Sequence, residues 1–192
     1  VHPPKGFETV TIAYKGSVAH NDSAGNSGVI NPGDVQWMTA GAGVLHKEYH
    51  EEKFAAKGGF FEMVQLWVNL PKKDKSVGPH YQALTKDAIT NVQLPGNNGE
   101  VNVIAGDFNG NKGAAETYTP VNLFDIKLKE GGTTVTNVPA THNTALLVIE
   151  GNIKVNGTDV NEHSFVLFKN EGEEIEIVAS ENAVVLLLSG EP

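Results

Sequence analysis

The chain contains no cysteine, so it has neither disulfides nor thiolate metal ligands. That is compatible with a reducing compartment, and it restricts any metal site to nitrogen and oxygen donors. Long apolar runs are also lacking: the longest, Ala183 to Leu188, falls far short of a membrane span. Basic residues are scarce, 14 Lys and Arg against 23 Asp and Glu for a formal net charge of -9, and they do not cluster. Contact with phosphates needs clustered Lys and Arg, so no direct nucleic-acid partner is expected. No cleavable signal is visible in the residues given, and a cytoplasmic monomer is expected. The first residue is Val1 rather than methionine, and the natural start is expected upstream of it.

What the chain does have is 192 residues, 40% of them hydrophobic, and 21 glycines. This is a globular, turn-rich composition, long enough to bury one large core or two small ones. No convincing long amphipathic helix is visible. Short β-branched and aromatic runs recur instead: FETVTIAY at Phe7 to Tyr14, Ser17 to His20, and FFEMVQLWVNL at Phe60 to Leu70, stopped by Pro71. Glu51 to Gly59 reads as a loop or short helix. A second series begins near Val92 and includes Val101 to Ala105, VNLFDIKL at Val121 to Leu128, Gly132 to Val138, TALLVIE at Thr144 to Glu150, Glu174 to Ala179 and Ala183 to Ser189. Asn156-Gly157, after Ile153-Lys154-Val155, is the strongest two-residue hairpin signal. Evenly spaced strands with turn punctuation imply an all-β sandwich or barrel, and two series imply two similar barrels, residues 1–82 and 83–192.

The most informative stretch is NPGDVQWMTAGAGVLHKEYHEE, Asn31 to Glu52. Pro-Gly-Asp turns the backbone sharply before a strand through Trp37 and Met38. Past the small residues Thr39 to Gly43, His46 and Glu48 lie two apart on an extended strand and therefore share a face. An imidazole and a carboxylate so placed form half of a metal site; His2, at the head of the chain, is a candidate for the other half. Each has a plainer reading. A histidine near a chain start is commonly solvated, and His46 with Glu48 could be a strand-surface pair of modest value. His20 reads as a strand-end residue beside a turn, and Trp37, Met38 and Trp67 read as core.

The string from His2 to Glu48, HPPKGFETVTIAYKGSVAHNDSAGNSGVINPGDVQWMTAGAGVLHKE, closely resembles the N-terminal signature of pirins, HPHRGFETVTY followed by H-x-D-S-x-G-N, PGDVQWMTAG and H-x-E. QLWVNLP, Gln65 to Pro71, is a further pirin-like string. The resemblance implies a bicupin, two tandem cupin β-barrels, with one mononuclear metal, commonly iron, in the first and a metal-free second. Carried over by position, it implies metal ligands His2, His46 and Glu48. Pro4 stands where the family usually has a second ligating histidine, and proline has no donor to give. Two imidazoles and one carboxylate remain, the facial-triad set that suits Fe(II) with open positions. Glu8 keeps the spacing of a general cupin ligand and is an alternative donor; His50 shares the parity of Glu48 but is expected past the strand end. The implied activity is that of a quercetin 2,3-dioxygenase, with a flavonol-like aromatic substrate and Glu48 as both ligand and catalytic proton acceptor. The alternative implied by the same family is a non-catalytic, metal-dependent regulator that binds a protein partner, and a third is a β scaffold with no retained activity.

Overall fold

Alternating side chains and glycine-rich turns leave the backbone little to do but pair, and the computed structural model, which describes residues 1–192, is built almost wholly of antiparallel strands. The chain divides into two units, Val1–Ala88 and Ile89–Pro192.

In the first unit the strands are β1 (Phe7–Lys15), β2 (Val18–Asp22), β3 (Ser27–Ile30), β4 (Val35–Thr39), β5 (His46–His50), β6 (Glu62–Asn69) and β7 (His80–Leu84). They form a four-stranded sheet, β6-β1-β4-β7, and a three-stranded one, β3-β2-β5. β1 is central because Val10 and Ile12 alternate with Thr9 and Thr11 and both faces are covered; all four are buried. Between β3 and β4 the chain reverses at Asn31 to Asp34. Pro32 occupies the second turn position and Gly33 the third with φ +92°, and the Asp34 N–H closes onto the Asn31 carbonyl at 2.9 Å, as a type II turn requires. After β4 the backbone at Gly41 runs so close to Val77 that a Cβ there would lie 2.1 Å from the Val77 carbonyl oxygen. That tight passage delivers the chain to the start of β5.

The charged segment after β5 is a short helix, α1 (Glu52–Lys57), whose first turn is capped by the Glu51 carboxylate accepting from the Phe54 N–H at 2.8 Å. Trp37 and Met38 are fully buried, as their place in the central sheet demands. Trp67 is not core: it is 69% exposed and lies against Phe7, ring centroids 4.8 Å apart. It stands on β6, an edge strand, where alternation marks a face but not whether that face is covered.

The second unit comprises β8 (Thr90–Gln93), β9 (Gly99–Ala105), β10 (Asp107–Phe108), β11 (Asn111–Lys112), β12 (Val121–Leu128), β13 (Thr133–Asn137), β14 (Asn143–Glu150), β15 (Ile153–Val155), β16 (Thr158–Val160), β17 (Phe165–Leu167), β18 (Glu174–Ala179) and β19 (Ala183–Gly190). A six-stranded sheet, β17-β14-β19-β12-β9-β8, and a four-stranded one, β13-β18-β15-β16, enclose a continuous apolar core. The β15–β16 hairpin turns on Asn156 and Gly157, both at positive φ (46° and 81°), the requirement of a type I′ turn. At the centre Phe124 meets Phe108 edge to face, centroids 5.4 Å apart, and both are fully buried.

Removing the Phe124 ring leaves a cavity that these strands cannot close. Phe124→Ala is expected to cost about 3–5 kcal/mol in a urea titration. A loss below about 1 kcal/mol would show that the core is not packed this way.

Candidate functional site

Four polar side chains come to one face of the three-stranded sheet because of its register. β2 and β5 pair so that Asp22 stands opposite His46 and His20 opposite Glu48, and opposed residues share a face. The larger sheet answers with Thr11 on β1, Gln65 on β6 and Tyr81 on β7. Thr11 and Gln65 are themselves cross-strand partners. His46 is 1% exposed, and its Nε2 has no hydrogen-bond partner, although it lies 3.5 Å from Glu48 Oε1. Gln65 Nε2 donates to both Glu48 oxygens at 3.0 and 2.9 Å, and Thr11 Oγ1 donates to Oε1 at 3.2 Å. The carboxylate is thereby aimed at the imidazole. On the other side of the ring, His46 Nδ1 is 3.3 Å from the Tyr81 hydroxyl.

Burial pushes the Glu48 carboxyl up, but His46, Gln65 and Thr11 more than offset it and hold the group below the usual carboxylate range. His20, also buried, is pushed below the ordinary imidazole range by desolvation and by neighbouring His46. Its ring stacks on Tyr81 with centroids 5.3 Å apart, and its Nδ1 has no partner. The opposing residue on β3 is Gly28, where a Cβ would stand 2.6 Å from His20 Nε2. Behind His20 and Tyr81 is a cavity of about 230 Å³ that also reaches Gln36 and Leu84.

The remaining expected donors are placed as follows. His2 forms a two-way backbone bridge with His46, N–H to carbonyl at 3.0 Å each way, and the two rings meet edge on with centroids 5.5 Å apart. The His2 side chain is exposed. Two residues on, Pro4 is buried and its carbonyl accepts from the Val44 N–H at 3.3 Å. Glu8 lies on the opposite face of β1 from Thr11, buried, with Thr39 Oγ1 donating to it at 2.7 Å. It does not point toward Glu48. His50 ends β5 and packs on Phe61 and Phe54, centroids 4.7 and 5.9 Å away.

This geometry fits a metal ion only in part. An unpartnered, buried Nε2 and a carboxylate oxygen share one space, which suits a cation between them. His2 flanks that space less closely, and no three His, Asp or Glu side chains stand near enough as placed to enclose an ion.

Comparison with known proteins agrees with this arrangement of sheets. Residues 1–68 match the family described as Pirin, and residues 123–192 match the Pirin C-terminal cupin domain. Over 191 residues the chain is 46% identical to a Pseudomonas aeruginosa protein provisionally named a quercetin 2,3-dioxygenase, covering all of this chain and 67% of that one. This chain belongs to the pirin family. Its fold is accordingly that of a bicupin. A crystal structure of quercetin 2,3-dioxygenase from Acinetobacter baumannii superposes with a TM-score of 0.94 at 46% identity, covering all of this chain and 67% of that one. Mouse pirin is 35% identical, with all of this chain and 66% of that protein covered. The chain spans about two thirds of these relatives.

Sequence reading missed five side chains of this pirin's site, Thr11 on β1 among them. His20, read as a strand-end residue beside a turn, is a buried member in the middle of β2, and pairing β2 against β5 in register would have revealed it. Asp22 follows from the same register. Gln65 is the polar position of an alternating strand, and only the closure of the sheets shows that it faces Glu48. Tyr81 carries no local signal, because only the fold of the larger sheet brings β7 beside β5.

Glu8 yields a test. Burial holds its carboxyl above the usual range, against the opposing hydrogen bond from Thr39. For an acid shifted upward, the stabilising contribution is whole below the unfolded-state pKa and is lost as pH rises through the folded-state value. Glu8→Gln keeps an oxygen for Thr39 and cannot ionise. Its melting temperature relative to the parent should rise between about pH 4 and about pH 7, by roughly 2–4 °C for each kcal/mol relieved. A difference that does not change with pH would refute the assignment.

Proposed function

We propose that this pirin is a metal-dependent oxygenase of the quercetin 2,3-dioxygenase type, with His46 and Glu48 as the principal ligands, His2 as the third, and Fe(II) as the ion. The observation that carries the proposal is the bare, buried His46 Nε2 facing Glu48 Oε1 at 3.5 Å. The names of relatives at 46% identity support the reaction class. When bound, a divalent ion supplies Lewis acidity that favours the deprotonated form of a substrate hydroxyl.

The chain's own residues do the rest. Glu48 accepts the hydroxyl proton, and Gln65 and Thr11 hold its oxygens so that it cannot rotate away from the substrate. Gln65 and Trp67 are two apart on β6 and so project from the same face. The exposed Trp67 ring, backed by Phe7, is a planar surface on which a flavonol-like ring system can stack.

A second reading, a metal-dependent regulator binding a protein partner, is favoured by two observations. Pro4 removes a family ligand, and the cavity beside the site, about 230 Å³, is smaller than the roughly 300–1,000 Å³ usual for small-molecule pockets.

Anaerobic loading of the purified protein with ferrous ion, followed by elemental analysis and by quercetin absorbance under oxygen, separates the two. The enzyme reading expects about one iron per chain, turnover lost by at least about 100-fold in His46→Ala, and a raised KM in Trp67→Ala. Iron uptake with no loss of quercetin absorbance would leave the regulator. Absence of uptake would remove both metal-dependent readings.

A further inference from the structure

We propose that the hollow between β3 and β7 is a binding site of its own, separate from the metal donors, for a neutral single-ring molecule whose edge carries an amide or lactam. The inference goes beyond the oxygenase reading and does not rest on it, because none of His2, His46 and Glu48 lines this hollow.

The site exists because the two sheets of the first unit are not joined along one side. β7 ends the four-stranded sheet, β3 ends the three-stranded one, and no ladder connects them. Along that seam the hollow, about 230 Å³, runs past Gly28 and Ile30 to the stacked rings of His20 and Tyr81.

Gln36 makes it more than a gap in the packing. β4 sets Gln36 opposite Thr11 on β1 and Ala83 on β7, so its side chain shares their face, the one turned toward the three-stranded sheet. The residue is only 4% exposed, and its carboxamide, on the wall of the hollow, has no hydrogen-bond partner within the protein. A carboxamide carries two N–H donors and a carbonyl acceptor, and leaving them unused in an interior is costly. A second amide laid edge to edge satisfies one donor and the acceptor together. His20, also on the wall and buried, has a further unpartnered atom in Nδ1.

The rest of the lining sets size and charge. Ile30, Val35 and Leu84 supply buried apolar surface. A cavity of about 150 Å³ is enough for benzene, so this one has room for a ring and a small polar substituent. A multi-ring flavonol is too large for it. No Lys or Arg lines the hollow, and both oxygens of Asp34, its one acidic side chain, are taken by the Asn31 and Lys86 N–H groups at 3.0 and 2.8 Å. An anion would therefore be desolvated with nothing to offset the cost, which leaves a neutral ligand.

The test follows backbone amide signals by proton–nitrogen NMR of the metal-free protein, so its outcome is independent of iron, while benzamide, toluene or benzoate is added. Benzamide is expected to shift the signals of Gly28, Ile30 and Leu84 saturably and to bind at least about 10-fold more tightly than benzoate. Gln36→Leu nearly keeps the volume and removes the amide. It should weaken benzamide at least about 10-fold while toluene binds as well as before or better. Gly28→Ala places a methyl group against His20 in the hollow and should weaken benzamide and toluene alike. No saturable shift with benzamide, or equal benzamide affinity in parent and Gln36→Leu, overturns the proposal. So does a parent that prefers toluene to benzamide, which would mark the hollow as an apolar void only. Should Gln36→Leu fail to fold, Gly28→Ala and the ranking of the three compounds in the parent still decide it.

Discussion

The pairing register of β2 against β5 is the constraint on which the site depends. Side chains on a strand alternate between faces, so a slip of one residue would carry His46 and Glu48 to the outer surface and bring Lys47 and Tyr49 inward. Several features resist that slip. The Asp22–Asn26 turn closes the β2–β3 end, His2 bridges His46 from beyond the sheet, and the Tyr49 hydroxyl on the outer face is hydrogen-bonded to Asn21. With the register held, an acidic and an imidazole side chain are forced to share a buried space, and the opposing sheet must supply donors. Thr11 and Gln65 do so.

The architecture was largely legible in the amino-acid sequence, and the reason is local. Pro32-Gly33 and Asn156-Gly157 demand particular backbone angles, and the alternation in VNLFDIKL or in Val64 to Leu70 has no reading other than strand. The pairing of His46 with Glu48 was legible too, since two residues apart on a strand is a statement about one face. What lay beyond reach was anything created by one strand meeting another. His20 and Asp22 belong to the site only through a ladder, and Tyr81 only through the closure of one sheet over the other. Trp67 was misread because alternation shows which side a residue takes and not what lies on that side. Glu8 kept the right spacing for a ligand and the wrong face.

Pro4 lies in the segment ahead of β1, two residues from His2. Its carbonyl accepts from the Val44 N–H, and the residue is buried. The position therefore serves packing and backbone pairing, and a proline side chain has no donor to give. On the proposed metal reading, the site relies more on how well each donor is oriented than on how many there are.

Gly28 sits across from His20 where no β-carbon fits, 2.6 Å from the ring nitrogen. The depth to which that imidazole can settle against Tyr81 is therefore governed by the absence of a single carbon on a neighbouring strand. An alanine there would tilt the stack and reshape the floor of the adjacent hollow while every polar group beside it kept its chemical identity, so the shape of the hollow can change without any change in the donors.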